Sequence, residues 1–531
     1  AAGQGGGKDA EGNVVGQIKR RNFKMAKLMT AEEAVKAYIK DGMTIATNGF
    51  VGAVQPEGMM RAIQKSFLEG GTPRDLTLVH AAGQGGGKDA EGNVVGQINH
   101  LAEEGLLKKV IAGHYSLAPR LQKLALENKV AAYNMPQGCI SELFREIAAH
   151  RPGLITHVGL NTFVDPDVEG GMLNDKAREE GSYVKKVNFN GEEKLFYPSF
   201  PIDVALIHAS YVDTQGNCSM EEEGTLADIL PIAQAAYTTG GKVIVTVEKS
   251  HYVEYGSLDT RFVQVPGIYI EAIVLVDSDC AMQTNGSYHN EAFSGEKRIP
   301  MSAMDPMPMN ARKIIARRCA MELKAGAVVN LGIGMPEGVA NIVAEEGIEG
   351  MVLTTESGTI GGVPASGGDF GVTTNPDTIL HQSFQFDFYD GGGLDIAFLG
   401  LAQCDSHGNI NVSKFGPKIA GCGGFINITQ NTPVVVFCGT FTVKGKNKFL
   451  KDVEQITFSA DFANKTGQKV LYVTECCVFK LTKEGVELIE VAPGLDIEKD
   501  ILAHMDFKPI IKDVKVMDER IFKDELMGLA K

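Results

Sequence analysis

The feature that most constrains the fold is a repeated alternation of short apolar runs with longer amphipathic stretches. The apolar runs are typical of buried strands: TIATNGF, LTLVHAA, VAAYNM, DVALIHA, KVIVTVE, AVVNLGIG, MVLTTES, DIAFLGLA, PVVVFCG and VLYVTE. Between them lie helical stretches such as TAEEAVKAYIKDG and MNARKIIARRCAMELKAG. Because parallel strands are joined by crossover connections, usually helices, this order predicts an α/β fold with mainly parallel sheets.

Two parts of the chain follow the same plan, which indicates a tandem duplication. A Pro-Glu-Gly motif opens a helix after a glycine loop twice, at 56–58 and 336–338. A strand and turn also recur with identical spacing, at Asp203, Asp213, Gly216 and Asn217 and again at Asp395, Asp405, Gly408 and Asn409. Unrelated α/β domains can share such turns, but the fixed spacing favours two homologous open α/β domains.

Length and composition set the expected domain boundaries. A chain of 531 residues is too long for a single core. The segment at 296–310 is rich in Pro and Met and has neither helical nor strand periodicity. We therefore expect an N-terminal domain at 25–295, a linker at 296–310 and a C-terminal domain at 311–531.

The stretch AAGQGGGKDAEGNVVGQI opens the chain and recurs identically at 81–98. It is not a phosphate-binding P-loop, because its glycine spacing is one residue short and Asp89 stands where a hydroxyl should meet Mg²⁺. The two copies diverge immediately after the identity, unlike the units of a repeat protein. We predict that the internal copy is a flexible native loop and that 1–24 is a non-native leader.

Charge and cysteine content narrow the possible function classes. The net charge of −15 argues against a nucleic-acid partner, because phosphate binding needs a basic surface. No apolar run reaches membrane-spanning length, so we expect a cytoplasmic protein without a membrane partner. The nine scattered cysteines lack a C-x-x-C pair and indicate free thiols. The histidines show no metal-ligand spacing, so we expect no metal site.

The segment MVLTTESGTIGGVPASGGDFG is the sharpest candidate for chemistry. A predicted strand at 351–355 leads into Glu356 and then a glycine-rich turn through Gly361 and Gly362. A carboxylate at the carboxyl end of a strand, among small residues that admit a substrate, is placed for nucleophilic attack. A glutamate that caps a helix or pairs with a lysine is the alternative. Ser357 is a weaker candidate, because T-E-S-G-T is not the G-x-S-x-G nucleophile motif.

Three further segments offer hydrogen-bond donors or positive charge. In AAYNMPQGCISELF, Gln137 follows a strand and begins a helix, where its amide could donate to an oxyanion or simply be hydrated. FYDGGGLDIAF presents backbone N–H groups at 391–393. KFGPKIAGCGGFINI offers Lys418 and the glycine loop at 421–424 to an anionic ligand. Each glycine cluster alone is a weak signal, because tight turns also need glycine.

Taken together, these motifs resemble one known family. T-E-S-G-x-I-G-G, G-x-G-M-P-E-G, N-M-P-Q-G, FDFYDGGGLD and G-G-F-I-N-I are similar to segments of family I coenzyme A transferases, specifically the single-chain acetate/propionate type with two fused homologous subunits. The resemblance runs from Met25 to the C-terminus, and only the leading duplicate has no counterpart. It implies two domains of the sugar-phosphate isomerase-like type and assembly as a homodimer or homotetramer.

The resemblance also implies a role for each candidate residue. Glu356 would carry the acyl group and then CoA, in a ping-pong reaction through a glutamyl-CoA thioester. Gln137 and the backbone N–H of Gly392 would stabilise the tetrahedral oxyanion. CoA would lie mainly on the C-terminal domain, against Gly332, Gly334, Met335, Gly361, Gly362, Gly421, Gly423 and Gly424. We add Lys418 to this set from its charge alone.

We therefore expect a transferase that moves CoA between acyl-CoA and short monocarboxylates such as acetate, propionate, butyrate or lactate. CoA would be a substrate, with no permanently bound cofactor. Two alternatives stay open. In an acyl-CoA hydrolase, water would intercept the same intermediate. A non-catalytic ligand-binding module on the same fold would explain the glycine loops but would leave Glu356 without a function.

Overall fold

The computed structural model describes residues 25–88, 92–300 and 306–530. The expected leader at 1–24 lies outside these residues, as do residues 301–305 of the expected linker. Within the described residues the chain forms two large sheets, one on each side of the expected linker. Each sheet is built mainly from parallel strands with helices between them, as the alternation in the sequence predicts.

The first sheet contains eight strands, and each strand runs parallel to its neighbours. Their spatial order is Lys27–Met29, Ile270–Val276, Lys242–Glu248, Val204–His208, Thr44–Thr47, Leu76–His80, Leu107–Ala112 and Ala131–Asn134. Two strands near the middle of the sheet, Val204–His208 and Leu76–His80, are buried along their whole length, as expected where helices cover both faces.

The second sheet contains ten strands. Their spatial order is Thr378–Ile379, Thr359–Ile360, Val352–Thr354, Val328–Leu331, Ile396–Gly400, Val434–Cys438, Lys469–Val473, Cys477–Thr482, Gly485–Val491 and Ile510–Val516. The five strands from Val352–Thr354 to Lys469–Val473 are parallel. All ten apolar runs of the sequence form strands in one of the two sheets, which confirms the predicted α/β class.

Twelve α-helices lie within the described residues: Ala31–Tyr38, Glu57–Gly70, Pro119–Leu126, Gln137–Ala148, Asp175–Glu180, Ile229–Thr238, Glu291–Ser294, Ala311–Ala320, Gly338–Glu346, Gln382–Asp390, Phe425–Asn431 and Ala460–Thr466. The first begins at a capping box, in which the Glu33 N–H donates to Thr30 Oγ1 at 3.2 Å and the Thr30 N–H donates to Glu33 Oε2 at 2.9 Å. None of these helices is long and apolar enough to cross a membrane.

Short strands form smaller sheets around the two large ones. A three-stranded sheet contains Gly153–Thr156, Glu192–Pro198 and Lys185–Phe189, and a four-stranded sheet contains Tyr252–Val253, Tyr211–Asp213, Cys218–Ser219 and Val263–Val265. Five strand pairs complete the set: Gly86–Lys88 with Val94–Gly96, Val363–Pro364 with Thr373–Thr374, Gln403–Cys404 with Ile410–Asn411, Lys414–Phe415 with Lys418–Ile419, and Thr442–Val443 with Lys446–Asn447.

The internal copy of the repeated stretch is integrated into the first half of the chain. Its residues 81–85 are buried. The Gln84 amide donates to the Thr47 carbonyl at 3.0 Å and accepts from the Thr47 hydroxyl at 2.9 Å. The Val51 N–H donates to the Gly83 carbonyl at 2.7 Å. These contacts correct the expectation of a flexible loop for 81–88, while residues 89–91 lie outside the described residues.

The duplication is visible in matched contacts at the start of two strands. In the first half, Asp203 Oδ2 accepts a hydrogen bond from the Thr44 N–H at 2.8 Å. In the second half, Asp395 Oδ2 accepts from the Val328 N–H, also at 2.8 Å. Each aspartate precedes a central strand and binds the first residues of the neighbouring parallel strand.

The two turns identified by their spacing also match. Asp213 Oδ1 accepts from the Asn217 N–H at 3.0 Å, and its Oδ2 accepts from the Asn217 amide at 2.8 Å. Asp405 binds Asn409 in the same way, at 3.0 Å for both contacts. The chain therefore consists of two homologous α/β halves in tandem, and we propose 296–310 as the join between them.

The two halves meet through helices that start near the carboxyl ends of the strands. Helix Gln137–Ala148 of the first half packs against helix Gln382–Asp390 of the second half. Arg145 binds Asp387 with two hydrogen bonds of 2.7 and 2.6 Å, and the Gly138 N–H donates to Asn427 Oδ1 at 3.1 Å. This packing brings Gln137 to the C-terminal half.

Candidate active site

Glu356 lies just beyond strand Val352–Thr354, at its carboxyl end. The following turn is closed by the Gly358 N–H, which donates to the Thr355 carbonyl at 3.2 Å. Gly358 has a φ of +110°, and a Cβ atom here would stand 2.0 Å from the Leu380 carbonyl oxygen, so this turn requires glycine. The T-E-S-G stretch therefore fixes the direction in which the Glu356 side chain leaves the strand.

Ser357, the alternative nucleophile, is buried within this turn. Its hydroxyl lies 2.7 Å from Thr355 Oγ1, and its carbonyl accepts from the Thr225 hydroxyl at 2.7 Å. The hydrogen-bond partner of the Ser357 hydroxyl is Thr355 rather than a histidine base. The geometry therefore disfavours Ser357 as a nucleophile.

The Glu356 carboxyl group is half-buried and partly desolvated. Burial raises its pKa above the ordinary value, while hydrogen bonds from its own backbone N–H and from Asn330 act in the opposite direction. The group thus loses hydration but keeps donors that stabilise its ionised form. A carboxylate in this state is suited to attack an electrophilic carbonyl.

A buried polar cluster holds the strand that precedes this carboxylate. Tyr389 donates its hydroxyl hydrogen to Thr354 Oγ1 at 2.8 Å. The Gln385 amide donates to the Thr355 carbonyl at 3.1 Å and to the Tyr389 hydroxyl at 3.0 Å. Both donors belong to helix Gln382–Asp390, so this helix fixes the end of the strand from one side.

Gly424 lies directly against the Glu356 side chain. A Cβ atom on Gly424 would stand 3.0 Å from Glu356 Cγ and 3.1 Å from Phe386 Cζ. Within the described part of the chain the Gly424 N–H has no hydrogen-bond acceptor. The other three N–H groups of the 421–424 loop donate to Ser413 O, Asn134 Oδ1 and Gly113 O. One free backbone donor therefore lies next to the candidate nucleophile.

Gly424→Ala should displace Glu356, because the added methyl has no room beside the carboxylate stem. The backbone of Gly424 has an ordinary negative φ, so the effect should come from the contacts with Glu356 and Phe386 rather than from backbone strain. We expect kcat/KM for CoA transfer to fall by about tenfold to a hundredfold, with little change in the unfolding temperature. Steady-state assays check this.

Gly70→Ala is the matched control, because a Cβ atom at Gly70 would meet nothing within 4 Å. It should leave kcat/KM unchanged. Equal activities for the two variants would contradict the placement of Gly424.

Gln137 reaches the same loop from the first half of the chain. It begins helix Gln137–Ala148, and its N–H donates to the Gly423 carbonyl at 2.9 Å. Its side-chain Nε2 donates to Gln382 Oε1 at 2.9 Å, so protein groups rather than water satisfy this amide hydrogen. A Cβ atom on Gly423 would lie 3.6 Å from Gln137 Oε1. Gln137 and Glu356 thus approach neighbouring residues of one loop.

The structure does not bring Gly392 to this group. The N–H groups of 391–393 donate to the carbonyls of Asp387, Tyr389 and Phe388 at 3.0, 3.0 and 2.9 Å. They close the C-terminal end of helix Gln382–Asp390, about 13 Å along its axis from Gln382. The expectation that Gly392 offers a free oxyanion donor is therefore wrong, because this glycine run is a helix-ending turn.

Part of the expected CoA surface lies at the same edge of the sheet as Glu356. Gly332, Gly334 and Met335 follow strand Val328–Leu331, which pairs in parallel with the Glu356 strand. The space around Gly334 is open, and its carbonyl accepts from Arg312 Nη2 at 3.0 Å. Arg312, which also pairs with Glu337 at 3.4 Å, brings to this loop a guanidinium group that is not among the residues predicted from the sequence.

Other expected CoA residues have protein neighbours that explain them. A Cβ atom on Gly361 would stand 2.1 Å from Asp377 Oδ2, and one on Gly362 would stand 2.3 Å from the Thr374 carbonyl. One on Gly421 would stand 2.9 Å from His114 Cα. Lys418 is exposed on a short hairpin next to this loop. Close packing accounts for the three glycines, and contact with CoA remains a prediction for all four residues.

The amide and aromatic residues behind the site are not among the residues predicted from the sequence. Gln382, Gln385, Phe386 and Tyr389 occupy one face of a helix, with the i, i+3, i+4, i+7 spacing of a buried stripe. Two glutamines on such a stripe are a readable signal of a buried polar site. Asn330 has no comparable signal, because its role depends on strand neighbours distant in sequence.

His114 is a further residue without a sequence signal. It lies between two glycine loops, where a Cβ atom on Gly83 would stand 2.7 Å from its Nδ1 and one on Gly423 would stand 3.7 Å from its Cδ2. Burial, with smaller effects from nearby histidine and lysine, lowers the pKa of His114 to about 4. The ring is therefore neutral at pH 7.

All nine cysteines are free thiols, and seven of them are buried. Among the described residues, no group of three or more His, Cys, Asp or Glu side chains is arranged to hold a metal ion.

Comparison with known proteins places the chain among CoA-transferring enzymes. A family model described as coenzyme A transferase matches residues 28–275. A protein of Acetobacterium woodii named caffeate CoA-transferase is 45% identical over 529 residues, covering 95% of this chain and 99% of that protein. Acetate CoA-transferase YdiF of Escherichia coli K12 is 39% identical over 523 residues, covering 95% of this chain and 96% of that protein.

A solved structure agrees along nearly the whole length. It is the acyl-CoA transferase YdiF of Escherichia coli O157:H7 in a thioester complex with CoA. The TM-score is 0.86 at 38% sequence identity, and the match covers 95% of this chain and 97% of that one. The two-half architecture derived above is thus shared with a CoA-binding protein.

Proposed function

This chain belongs to the coenzyme A transferase family, and we propose that Glu356 is the side chain through which it transfers CoA between short-chain acyl-CoA and free carboxylates. The observation that carries the proposal is the convergence of three groups. Glu356 is partly desolvated at a strand end, Gly424 lies against it with a free N–H, and Gln137 of the other half binds the adjacent Gly423.

The first half-reaction begins with attack of a Glu356 carboxylate oxygen on the thioester carbonyl carbon. A tetrahedral oxyanion forms, and its collapse breaks the carbon–sulfur bond and releases CoA thiolate. The product is an anhydride between the acyl group and Glu356. The thiolate then attacks the carbonyl carbon of Glu356, forming a glutamyl-CoA thioester and releasing the acyl group as a free carboxylate.

The second half-reaction repeats these steps in reverse. The acceptor carboxylate attacks the glutamyl-CoA carbonyl carbon, and the released thiolate then attacks the acceptor carbonyl of the new anhydride. Glu356 leaves as a carboxylate, and the acceptor leaves as its CoA ester. No ATP is needed, because one thioester replaces another of similar energy.

Each tetrahedral intermediate needs hydrogen-bond donors for its oxyanion. The free N–H of Gly424 lies next to Glu356 and takes the role that the sequence analysis gives to Gly392. Gln137 supplies a second donor through its side-chain Nε2, which carries one hydrogen beyond the one given to Gln382. A backbone donor and an amide side chain together form a typical oxyanion hole.

The acceptors we propose are short monocarboxylates: acetate, propionate, butyrate and lactate. The relative named acetate CoA-transferase supports this class, while the name of the relative called caffeate CoA-transferase makes an aromatic acid the alternative acceptor to test. A panel of these five acids, assayed with one acyl-CoA donor, should show the highest kcat/KM for a member of the short-chain set. A preference for caffeate of tenfold or more would reassign the substrate.

An acceptor-dependence assay tests transfer against hydrolysis. In the absence of an acceptor carboxylate, we expect one burst of free acid per active site and then negligible acyl-CoA loss, because the glutamyl-CoA thioester accumulates. Adding acetate should restart turnover, with parallel lines in double-reciprocal plots. Continued thioester loss at the same rate without acceptor would favour the acyl-CoA hydrolase.

We also propose the remaining features as expectations for the enzyme. Acyl-CoA would lie along 332–335 and 421–424, with Lys418 and Arg312 near its phosphates. The free thiols are compatible with a cytoplasmic location, and no permanently bound cofactor is required by the chemistry above. A homodimer or homotetramer is the expected assembly, which sedimentation velocity can measure.

A further inference from the structure

The Gln137 amide is one end of a buried hydrogen-bond chain that crosses between the two halves. Its Nε2 donates to Gln382 Oε1 at 2.9 Å, and Gln382 Nε2 donates to Asp228 Oδ2 at 2.7 Å. The Ser141 hydroxyl forms a short contact with Asp228 Oδ1. All four side chains are at most 4% exposed, so water does not compete for these bonds.

The chemistry of Asp228 determines the donor-to-acceptor direction of this whole chain of hydrogen bonds. An ionised carboxylate only accepts hydrogen bonds, so Gln382 must turn its Nε2 toward Asp228. Gln382 then presents Oε1, an acceptor, to Gln137. Of the two ends of the Gln137 amide, only Nε2 can satisfy this acceptor.

Asp228 can lose its charge and keep the same direction when the added proton lies on Oδ1. Burial raises the pKa of this carboxyl to about 7, with the hydrogen bonds from Ser141 and Gln382 acting in the opposite direction. A proton on Oδ1 would be donated to the Ser141 oxygen, and Oδ2 would still accept from Gln382. With the proton on Oδ1, the polarity of the hydrogen-bond chain is therefore the same as in the ionised state.

Backbone hydrogen bonds also anchor Asp228 and Gln382, the two middle members of this chain of hydrogen bonds. The Asp228 N–H donates to Asn48 Oδ1 at 2.8 Å. The Gln382 N–H donates to the Ala227 carbonyl at 2.9 Å, which ties the first residue of its helix to the residue before Asp228. These bonds hold the backbone at Asp228 and Gln382, so both side chains extend from fixed positions.

We propose that Asp228 and Gln382 are positioning residues that fix the polarity of the Gln137 amide, so that its second Nε2 hydrogen is kept for the reaction's oxyanion. If Gln137 were reversed, Oε1 would take the place of Nε2, and the hydrogen kept for the oxyanion would be replaced there by an acceptor that repels it. This inference rests on the proposed function, because it assigns a cause to the orientation of a group that acts there.

A double-mutant cycle tests whether Gln382 acts through Gln137. Gln382→Met keeps the length of the side chain but removes both its donor and its acceptor. We expect the single-turnover rate of Glu356 adduct formation to fall about tenfold to a hundredfold, with CoA affinity unchanged. In a Gln137→Ala background the same substitution should cause less than a twofold further loss, because the group it orients is already absent.

A control variant and the possible outcomes of the cycle distinguish a positioning role of Gln382 from general damage to the structure. Gln234→Met removes a glutamine that donates to the Tyr269 hydroxyl in the same half, and it should leave the adduct rate unchanged. Losses from Gln382→Met and Gln137→Ala that simply multiply would overturn the inference. If wild-type protein forms no Glu356 adduct, the proposed function itself fails, and this result is distinguishable from a multiplicative cycle.

A second pair of variants keeps the test usable if Gln382→Met does not fold. Asp228→Asn alone should retain most of the adduct rate, because its new N–H₂ can donate to the Ser141 oxygen and leave Oδ1 for Gln382. Adding Ser141→Ala removes that acceptor and lets the amides reverse, so the rate should fall at least fivefold further. An equal rate for Asp228→Asn with and without Ser141→Ala would contradict the polarity argument.

Discussion

Glu356→Gln is expected to reduce the turnover number for CoA transfer by at least about 10⁴-fold, because loss of a covalent nucleophile removes the reaction path itself. The amide has nearly the same shape as the carboxylate but is not a competent nucleophile toward a thioester. CoA affinity should change little, since we expect the phosphates and the pantetheine chain to bind mainly through groups other than the Glu356 carboxylate. Steady-state transfer assays and calorimetric binding of CoA check both parts.

A surface substitution of the same type provides the control. Glu484 lies exposed in a hairpin turn, 3.7 Å from Lys512, and an exposed pair of this kind contributes little to stability. Glu484→Gln should transfer CoA at the wild-type rate. Slow deamidation of the introduced glutamine at 356 would restore the native carboxylate, so activity should rise with incubation time in step with the deamidated peptide. Stable activity above about a hundredth of wild type from the start would contradict the role of Glu356.

Gln137→Ala is expected to lower the rate of the chemical step by about 10²- to 10³-fold, the usual loss for one oxyanion donor. The loss should appear in kcat and in kcat/KM, because the donor acts in the transition state rather than in substrate binding. CoA affinity should stay within twofold of wild type. Rapid-quench measurement of adduct formation, together with equilibrium CoA binding, separates the two effects.

Gln64→Ala is the matched control for this variant. Gln64 lies in the same half and donates to Glu103 at 2.7 Å, away from the Gly421–Gly424 loop. It should leave both the adduct rate and the CoA affinity unchanged. If Gln137→Ala instead weakened CoA binding tenfold while the chemical step kept its rate, Gln137 would be a binding residue.

The fold follows from the sequence because buried parallel strands appear as continuous apolar runs. Both halves could be recognised from such runs and from the matched aspartates at 203 and 395, which make the same contact with a neighbouring strand. Strand Leu107–Ala112 is not among the predicted strands, because Lys108 and Lys109 interrupt its apolar pattern. In the structure Lys109 Nζ forms an ion pair with Glu180 Oε2 at 2.6 Å, and no local sequence pattern predicts this partner.

The candidate site was only partly predictable, for a physical reason. Glu356 could be found because a strand, a carboxylate and an obligatory glycine are consecutive in the chain. Gly392 was misassigned, because a glycine run that ends a helix has the same letters as one that binds a ligand. The free N–H of Gly424 and the partners of Gln137 depend on packing between the two halves, which local sequence does not encode.

The central claim is that the Glu356 carboxylate becomes the temporary carrier of CoA. Incubation with acyl-CoA in the absence of acceptor, followed by proteolysis and peptide mass mapping, measures this directly. We predict a CoA adduct on the peptide that contains Glu356, in a yield approaching one per chain, removed by hydroxylamine and absent from Glu356→Gln. A fully active enzyme that shows no adduct on this peptide, or an adduct on another residue, would contradict the account.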